Sequence, residues 1–146
     1  MLPRLRKGSE GATAHGFTVS ATIPAAPKQV FDAWLSSKGH SAMTDAGAKV
    51  SARVGGAFTA WDGYISGKNL KLNPEKQIVQ SWRTTEFAVS DPDSKIEVLL
   101  EKTPGGTKLT IHHTNIPSGQ SDYKSGWREC YFEPMKNYFK ANAKPA

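Results

Sequence analysis

The side chains that could do chemistry in this chain are few and scattered. His112 and His113 are neighbours in a segment that alternates like a β-strand, so their rings leave opposite faces and cannot bind one metal ion together. Glu129 and Glu133 lie one helical turn apart, but no histidine at matching spacing completes a ligand set, and the pair is typical of a solvated helix face. The sequence therefore predicts no metal site and no cofactor.

The signatures of the common enzyme classes do not occur in the sequence. There is no G-x-S-x-G elbow, no P-loop, no G-x-G-x-x-G and no H-E-x-x-H. Cys130 is the single cysteine, and without an activating neighbour we interpret it as a small buried apolar residue. One histidine in a closed pocket suffices for general acid–base catalysis, so His113 keeps a cyclase-like or hydrolytic role open.

The sequence offers more candidates for a binding site than for a catalytic site. Gln80 shares a strand face with Ile78 and Trp82, and His113 shares one with Ile111. An unpaired polar group costs about 1–3 kcal/mol when it is buried, so an inward polar side chain needs a partner. Two interpretations stay open for Gln80 and His113: they orient a polar group of a ligand, or each bonds a backbone group or an ordered water.

The composition is that of one globular domain. The chain has 146 residues, of which 38% are hydrophobic, and it has no run of the roughly 18 apolar residues that a membrane span needs. The basic start lacks the apolar stretch of a secretory signal, and a single cysteine suits a reducing compartment, so we predict a cytoplasmic protein. Of the net charge of +6, residues 1–15 carry +2 and residues 136–146 carry +3, which leaves +1 on the body. Nucleic-acid binding is therefore not predicted.

Strand-like segments dominate the chain. Phe17 to Ile23 alternates as a half-buried strand, and a helix that begins at Pro27 and ends at Gly39 follows, with a weak second helix at 40–44. Six more strands are separated by turns rich in Gly, Pro, Asn and Asp, and such short connections make neighbouring strands antiparallel. The six segments are AKVSARV, AFTAW, YISGKNLKL, KQIVQSWR, SKIEVLLEK and TKLTIHHT.

A final helix begins near Ser121 or Asp122 and contains the segment GWRECYFEPMKNYF. Helical spacing places Trp127, Tyr131, Met135 and Tyr138 or Phe139 on one side. Pro134 interrupts this stripe, and because proline lacks the N–H, it predicts a kink that lets the helix follow a curved sheet. The helix then either covers an apolar cavity or bends over a filled core, and the sequence leaves both open.

The order of elements predicts an α+β fold in which a curved antiparallel sheet of about six or seven strands wraps around a long C-terminal helix. Residues 1–15 are predicted to form a flexible N-terminal arm, residues 16–141 a single domain, and residues 142–146 a C-terminal tail.

Five segments, in the same order, resemble the activator of heat-shock protein 90 ATPase family, over residues 16–140. They are FTVSATIPAAPKQVFDAWL, VGGAF, WDGYISGKNLKLNPEKQIVQSWR, GGTKLTIHHTNIP and GWRECYFEPMKNYF. The last is especially similar to the C-terminal domain of the eukaryotic co-chaperone. The resemblance implies the START-like (SRPBCC) helix-grip fold, whose members bind lipids, hormones or polyketides under the long helix and in a few cases catalyse reactions there.

Three functional hypotheses follow, and fold alone does not choose among them. The first is a domain that binds a hydrophobic small molecule; the second is a co-chaperone-like protein of the stress response that binds a heat-shock protein 90 homologue; the third is a cyclase-like enzyme. The predicted cavity-lining residues are Trp34, Phe58, Gln80, Trp82, His113, Trp127 and Tyr131. Core packing explains the aromatic members equally well. The oligomeric state is not predicted.

Overall fold

The computed structural model describes residues 15–142. Apart from His15 and Asn142, the predicted arm and tail lie outside the described residues. Seven antiparallel strands form one sheet with the order β1-β7-β6-β5-β4-β3-β2. The strands are β1 His15–Ile23, β2 Lys49–Val50, β3 Ala57–Ala60, β4 Ile65–Asn73, β5 Gln77–Thr84, β6 Ser94–Thr103 and β7 Gly106–Ile116. The predicted α+β class and the antiparallel order are confirmed.

Two short helices connect β1 to β2. Helix α1 is Pro27–Trp34 and helix α2 is Ser37–Thr44. The predicted end of the first helix at Gly39 is wrong, because Ser36 caps α2 through its side chain and Gly39 lies in the first turn of that second helix. A Cβ on residue 39 would lie 2.8 Å from the Cα of Ala33, so glycine is what allows α1 and α2 to approach this closely.

The C-terminal helix runs from 123 to 141 in three parts. These are α3 Tyr123–Gly126, a π-helical segment Trp127–Phe132, and α4 Glu133–Ala141. Asp122 caps the start, as predicted, by accepting a hydrogen bond from the amide of Ser125 at 3.1 Å. Among the described residues, no helix is both long and apolar enough to cross a membrane.

A kink is predicted at Pro134, and the structure shows a departure from α-helical geometry just before this residue, in the π-helical segment. Pro134 cannot donate to the carbonyl of Cys130, four residues earlier. The amide of Glu133 instead bonds the carbonyl of Arg128, five residues earlier, which is the π-helical spacing. The wider helical turn directs two consecutive side chains, Tyr131 and Phe132, into the core. Phe132 is therefore a core residue that regular helical spacing missed.

The helix lies against one face of the sheet, and the predicted stripe is buried. Trp127, Tyr131, Met135 and Phe139 are buried, whereas Tyr138 is half-buried. The ring of Trp127 lies 5.7 Å from the ring of Trp82 on β5. The core of the domain is thus the layer between the helix and this face of the sheet.

The strand register places the two inward polar side chains on that same face. Ile96 on β6 pairs with Gln80 on β5 and with His113 on β7. Gln80 is 1% exposed and His113 is fully buried. Since paired residues share a face, both side chains point toward the helix, as the alternation predicted.

Gly67 on β4 allows this strand to pair closely with β3 and β5. A Cβ on residue 67 would lie 1.8 Å from the carbonyl oxygen of Ser81. We expect Gly67→Ala to lower the free energy of unfolding by about 3 kcal/mol, because the strands must separate to admit the methyl group. Urea denaturation measures the change.

Gly126→Ala is the matched control, because a Cβ there meets no atom within 4 Å and Gly126 lies in a helix. This variant should be about 0.5–1 kcal/mol more stable than the parent. Equal stabilities for the two variants would contradict the packing described around Gly67.

Candidate functional site

A cleft of about 310 Å³ opens between the first half of the C-terminal helix and a surface formed by the β3–β4 turn with strands β4 and β5. Six aromatic side chains form most of its wall: Trp61, Tyr64, Trp82, Tyr123, Trp127 and Tyr131. Ser121, Asp122, Gly126 and Cys130 from the start of the helix also contribute to it. Of the predicted lining residues, Trp82, Trp127 and Tyr131 lie here, whereas Trp34, Phe58, Gln80 and His113 lie deeper in the core.

Gln80 belongs to a chain of hydrogen bonds inside the core. The indole Nε1–H of Trp34 donates to Gln80 Oε1 at 3.2 Å, and Gln80 Nε2 donates to Asn69 Oδ1 at 2.9 Å. Asn69 Nδ2 donates in turn to the carbonyls of Ser51 and Arg53 at 2.6 and 2.9 Å. The chain connects α1, β5, β4 and the loop before β3. Sequence reasoning missed Asn69, although it stands two residues after Gly67 and four after Ile65 on the inward side of a strand.

His113 connects the C-terminal helix to the sheet through hydrogen bonds. The indole Nε1–H of Trp127 donates to His113 Nδ1 at 3.1 Å, and Ser94 Oγ lies 2.9 Å from His113 Nε2. Because an indole can only donate, Nδ1 is an acceptor and Nε2 carries the proton of the neutral ring. The Ser94 hydroxyl donates in turn to the carbonyl of Trp82 at 2.6 Å. Gln80 and His113 therefore each have internal partners, which are mainly side chains.

His40 makes a second connection between the C-terminal helix and the core. Its Nδ1 lies 2.8 Å from the carbonyl of Trp34, and its Nε2 lies 2.8 Å from the hydroxyl of Tyr131. A carbonyl only accepts, so Nδ1 carries the proton and Nε2 accepts from Tyr131. Burial lowers the pKa of His40, partly opposed by the bond to Trp34, and burial raises the pKa of the Tyr131 hydroxyl. No sequence signal singled out His40, which lies in the weakly predicted α2.

Cys130 is exposed, so its interpretation as a buried apolar residue is wrong. The π-helical turn directs Tyr131 and Phe132 inward, which leaves Cys130 at the rim of the cleft. Partial burial, with a smaller contribution from Glu129, raises the pKa of the thiol. The thiol is thus protonated at neutral pH and is a poor nucleophile.

Two carboxylates lie in or next to the cleft: Asp122 is part of its wall, and Glu86 accepts hydrogen bonds from two of its lining residues. Tyr64 and Ser121 both donate to Glu86, at 2.6 and 2.5 Å. The bonds from Ser121 and Tyr64 lower the pKa of Glu86, and bonds from the amide and hydroxyl of Ser125 lower the pKa of Asp122. Both groups are ionised at neutral pH. Within residues 15–142, no three His, Cys, Asp or Glu side chains are placed to hold a metal ion.

Comparison with known proteins gives consistent matches. The family model described as "Activator of Hsp90 ATPase homolog 1-like protein" matches residues 24–140. The human activator of 90 kDa heat shock protein ATPase homolog 1 is 29% identical over 123 residues, which is 84% of this chain and 36% of the human protein. An uncharacterized protein of Schizosaccharomyces pombe is 24% identical over 139 residues, 90% of this chain and 41% of that protein. The chain thus spans between a third and a half of these curated relatives.

Solved structures show the same fold. The crystal structure of an HSP90 activator from Plasmodium falciparum superimposes with a TM-score of 0.76 at 22% identity, covering 90% of this chain and 98% of that one. A protein from Mesorhizobium loti gives a TM-score of 0.74 at 19% identity, covering 88% and 99%. These likenesses establish the START-like helix-grip arrangement.

The burial of His40 predicts a pH dependence, because burial lowers the pKa of its ring and the bond to Trp34 opposes this only in part. The pKa of His40 is lower in the folded state than in the unfolded chain, so protons favour the unfolded chain. The stability contributed by the neutral ring is complete above the ordinary histidine pKa and declines as the pH falls below it. We expect the free energy of unfolding to decrease from pH 7.5 to pH 5, and His40→Gln to reduce that decrease, because glutamine does not titrate.

His112→Gln is the matched control, because His112 is only half-buried and bonds Thr18 at the outer face of the sheet. Denaturation series at several pH values test all three proteins. Identical pH slopes for the parent and His40→Gln would contradict the role given to His40.

Proposed function

We propose that this chain, which belongs to the Activator of Hsp90 ATPase homolog 1-like family, is a binding domain that holds a small apolar molecule in the cleft beneath its C-terminal helix. The main support is the cleft itself, with about 310 Å³ of space and a largely aromatic wall. Small-molecule sites have volumes of about 300–1,000 Å³ and are mostly apolar. The volume lies at the lower end of this range, which favours a compact ring system over a long-chain lipid.

The wall of the cleft is held in place before any ligand arrives. Trp127 is bonded to His113, Tyr131 to His40, and the hydroxyl of Tyr123 lies 2.8 Å from Thr84 Oγ1. A ligand therefore does not have to order these side chains, and the entropy cost of binding is correspondingly smaller. The proposal places the protein in the cytoplasm, where a single exposed thiol remains reduced.

A chaperone-related role is the second candidate, and the names of the relatives favour it. Several curated relatives are activators of the 90 kDa heat shock protein ATPase, although this chain spans only about a third of their length. In such a role the outer surface would bind a heat-shock protein 90 homologue. The test is to measure ATP turnover by that homologue with increasing amounts of this protein. Unchanged turnover and the absence of a complex in sedimentation would exclude this role.

The catalytic alternative has less support. His113 does not line the cleft, and its ring nitrogens are engaged by Trp127 and Ser94. A molecule in the cleft would have to displace Trp127 from its hydrogen bond to meet the ring. We therefore assign no reaction to His113.

Gly126 offers a direct test of ligand binding in the cleft. It lines the cleft, its backbone is helical, and a Cβ there meets no atom within 4 Å. We expect Gly126→Leu to fold normally, because leucine is a good helix former, and to fill part of the cleft. Binding of a fluorescent naphthalene probe, followed by quenching of tryptophan emission, should weaken at least tenfold or disappear.

Asn137→Leu places the same side chain at an exposed position of the same helix, away from the cleft, and should bind the probe like the parent. Equal binding by the parent and both variants would place the probe elsewhere on the protein. The same pair separates the two candidate roles, because stimulation of a chaperone through the outer surface should survive Gly126→Leu.

A further inference from the structure

The two carboxylates beside the cleft lie at the same end of it. Asp122 is part of the wall at the start of the C-terminal helix, and it directly follows Ser121, whose hydroxyl donates to Glu86 Oε1 at 2.5 Å. Glu86 Oε2 accepts a second hydrogen bond from the hydroxyl of Tyr64, on the opposite side of the cleft, at 2.6 Å. Glu86 thus connects the two sides of the cleft at the end where Asp122 lies.

Neither carboxylate is neutralised by a basic side chain. None of the ion pairs between residues that the structure describes includes Asp122 or Glu86. Hydrogen bonds lower the pKa of both groups, so each carries a negative charge at neutral pH. Lys124 and Arg128 on the same part of the helix are exposed and do not line the cleft, and the charge of Lys124 contributes least to the lowered pKa of Asp122. This end of the cleft is therefore anionic.

The rest of the wall also favours a cation. Six of its eleven residues are aromatic, and none of the wall residues that the structure describes is Lys, Arg or His. The face of an aromatic ring carries partial negative charge and attracts a cation within about 6 Å of the ring centre. A cleft lined by charge of one sign also concentrates the field of that charge. A carboxylate ligand would be repelled at the end formed by Asp122 and Glu86, whereas an ammonium group would be attracted.

We propose that the molecule held in the cleft is a compact ring compound that carries one ammonium group, with the ring against the aromatic wall and the ammonium group at the end formed by Asp122 and Glu86. This inference rests on the proposed function, since it names the ligand class of the same cleft. The ring supplies the apolar contact area, and the charge supplies the selectivity. Asp122 and Glu86 are then the residues that distinguish an ammonium compound from a carboxylate of similar shape.

The test uses three probes that share one ring system: trimethyl(2-naphthyl)ammonium, 2-tert-butylnaphthalene and 2-naphthoate. The first two have almost the same shape and differ in charge, whereas the third carries the opposite charge. Dissociation constants are measured from the quenching of tryptophan emission. We expect the parent protein to bind the ammonium probe about tenfold more tightly than 2-naphthoate.

Asp122→Asn removes one charge and keeps the start of the helix, because asparagine caps helices as well as aspartate does. We expect this variant to weaken binding of the ammonium probe about two- to fivefold, the effect of one exposed charge, and to change binding of the neutral probe less than about 1.5-fold. Glu86→Gln should act in the same direction. Glu101→Gln is the matched control, because it changes the net charge equally at an exposed position of β6, a strand that contributes no residue to the cleft. It should bind all three probes like the parent.

The neutral probe separates failure of this inference from failure of the proposed function. If Asp122→Asn and Glu86→Gln both leave the affinity for the ammonium probe unchanged, or if 2-naphthoate binds the parent as tightly, the ammonium class is wrong. Binding of the neutral probe would then still support the cleft as a site. An equal loss in Glu101→Gln would assign the effect to net charge and refute the role of Asp122 and Glu86. If no probe binds the parent, the proposed function fails together with this inference.

Salt dependence tests the same charges on the unmodified sequence. Salt screens the attraction between an ammonium group and exposed carboxylates, so binding of the ammonium probe should weaken about two- to fivefold, relative to the neutral probe, between low salt and about 0.5 M sodium chloride. The chain as a whole carries a net charge of +6, so a general effect of net charge would have the opposite sign. Equal salt dependence of the two probes would overturn the inference even if a variant does not fold.

Discussion

The position of the C-terminal helix depends on two aromatic side chains that bond buried histidines. Trp127 donates to His113 on β7, and Tyr131 donates to His40 on α2. Apolar packing would hold the helix against the sheet at many rotations, whereas these directional bonds are made at only one. Breaking either would leave buried polar groups unsatisfied, which costs about 1–3 kcal/mol for each group. The cleft depends on the helix being fixed at this rotation, which places Trp127 and Tyr131 in its wall.

Pro134 allows the helix to adopt this rotation with the order of residues that the sequence has. The π-helical segment that precedes it adds a residue to one turn, so that Tyr131 reaches His40 and Phe132 still enters the core. A regular helix would separate such inward positions by three or four residues. The proline thus acts on the cleft indirectly, through the side chains that the wider turn redirects.

The sequence predicted the fold well because its signals are local. Alternation identified the strands, turn residues separated them, and parity placed Gln80 and His113 inside. It predicted the site less well, because a pocket depends on which inward side chains leave space between them. Gln80 was a good candidate by burial, but its amide is used by Trp34 and Asn69, residues distant in sequence. Cys130 was misassigned because regular helical spacing does not anticipate a π-helical turn.

The hydrogen bonding of polar side chains differs between the deep core and the cleft. In the core, the Trp34, Gln80 and Asn69 chain and the Trp127, His113 and Ser94 chain are each bonded from end to end, as a rigid core requires. At the turn beside the cleft, the indole nitrogen of Trp61 has no hydrogen-bond partner and its backbone is left-handed, a conformation that the hydrogen bonds between Asp62 and Gly47 help to hold. Among the described residues, the one buried side-chain nitrogen or oxygen without a partner thus belongs to a residue of the cleft wall, whereas the deep core is fully bonded.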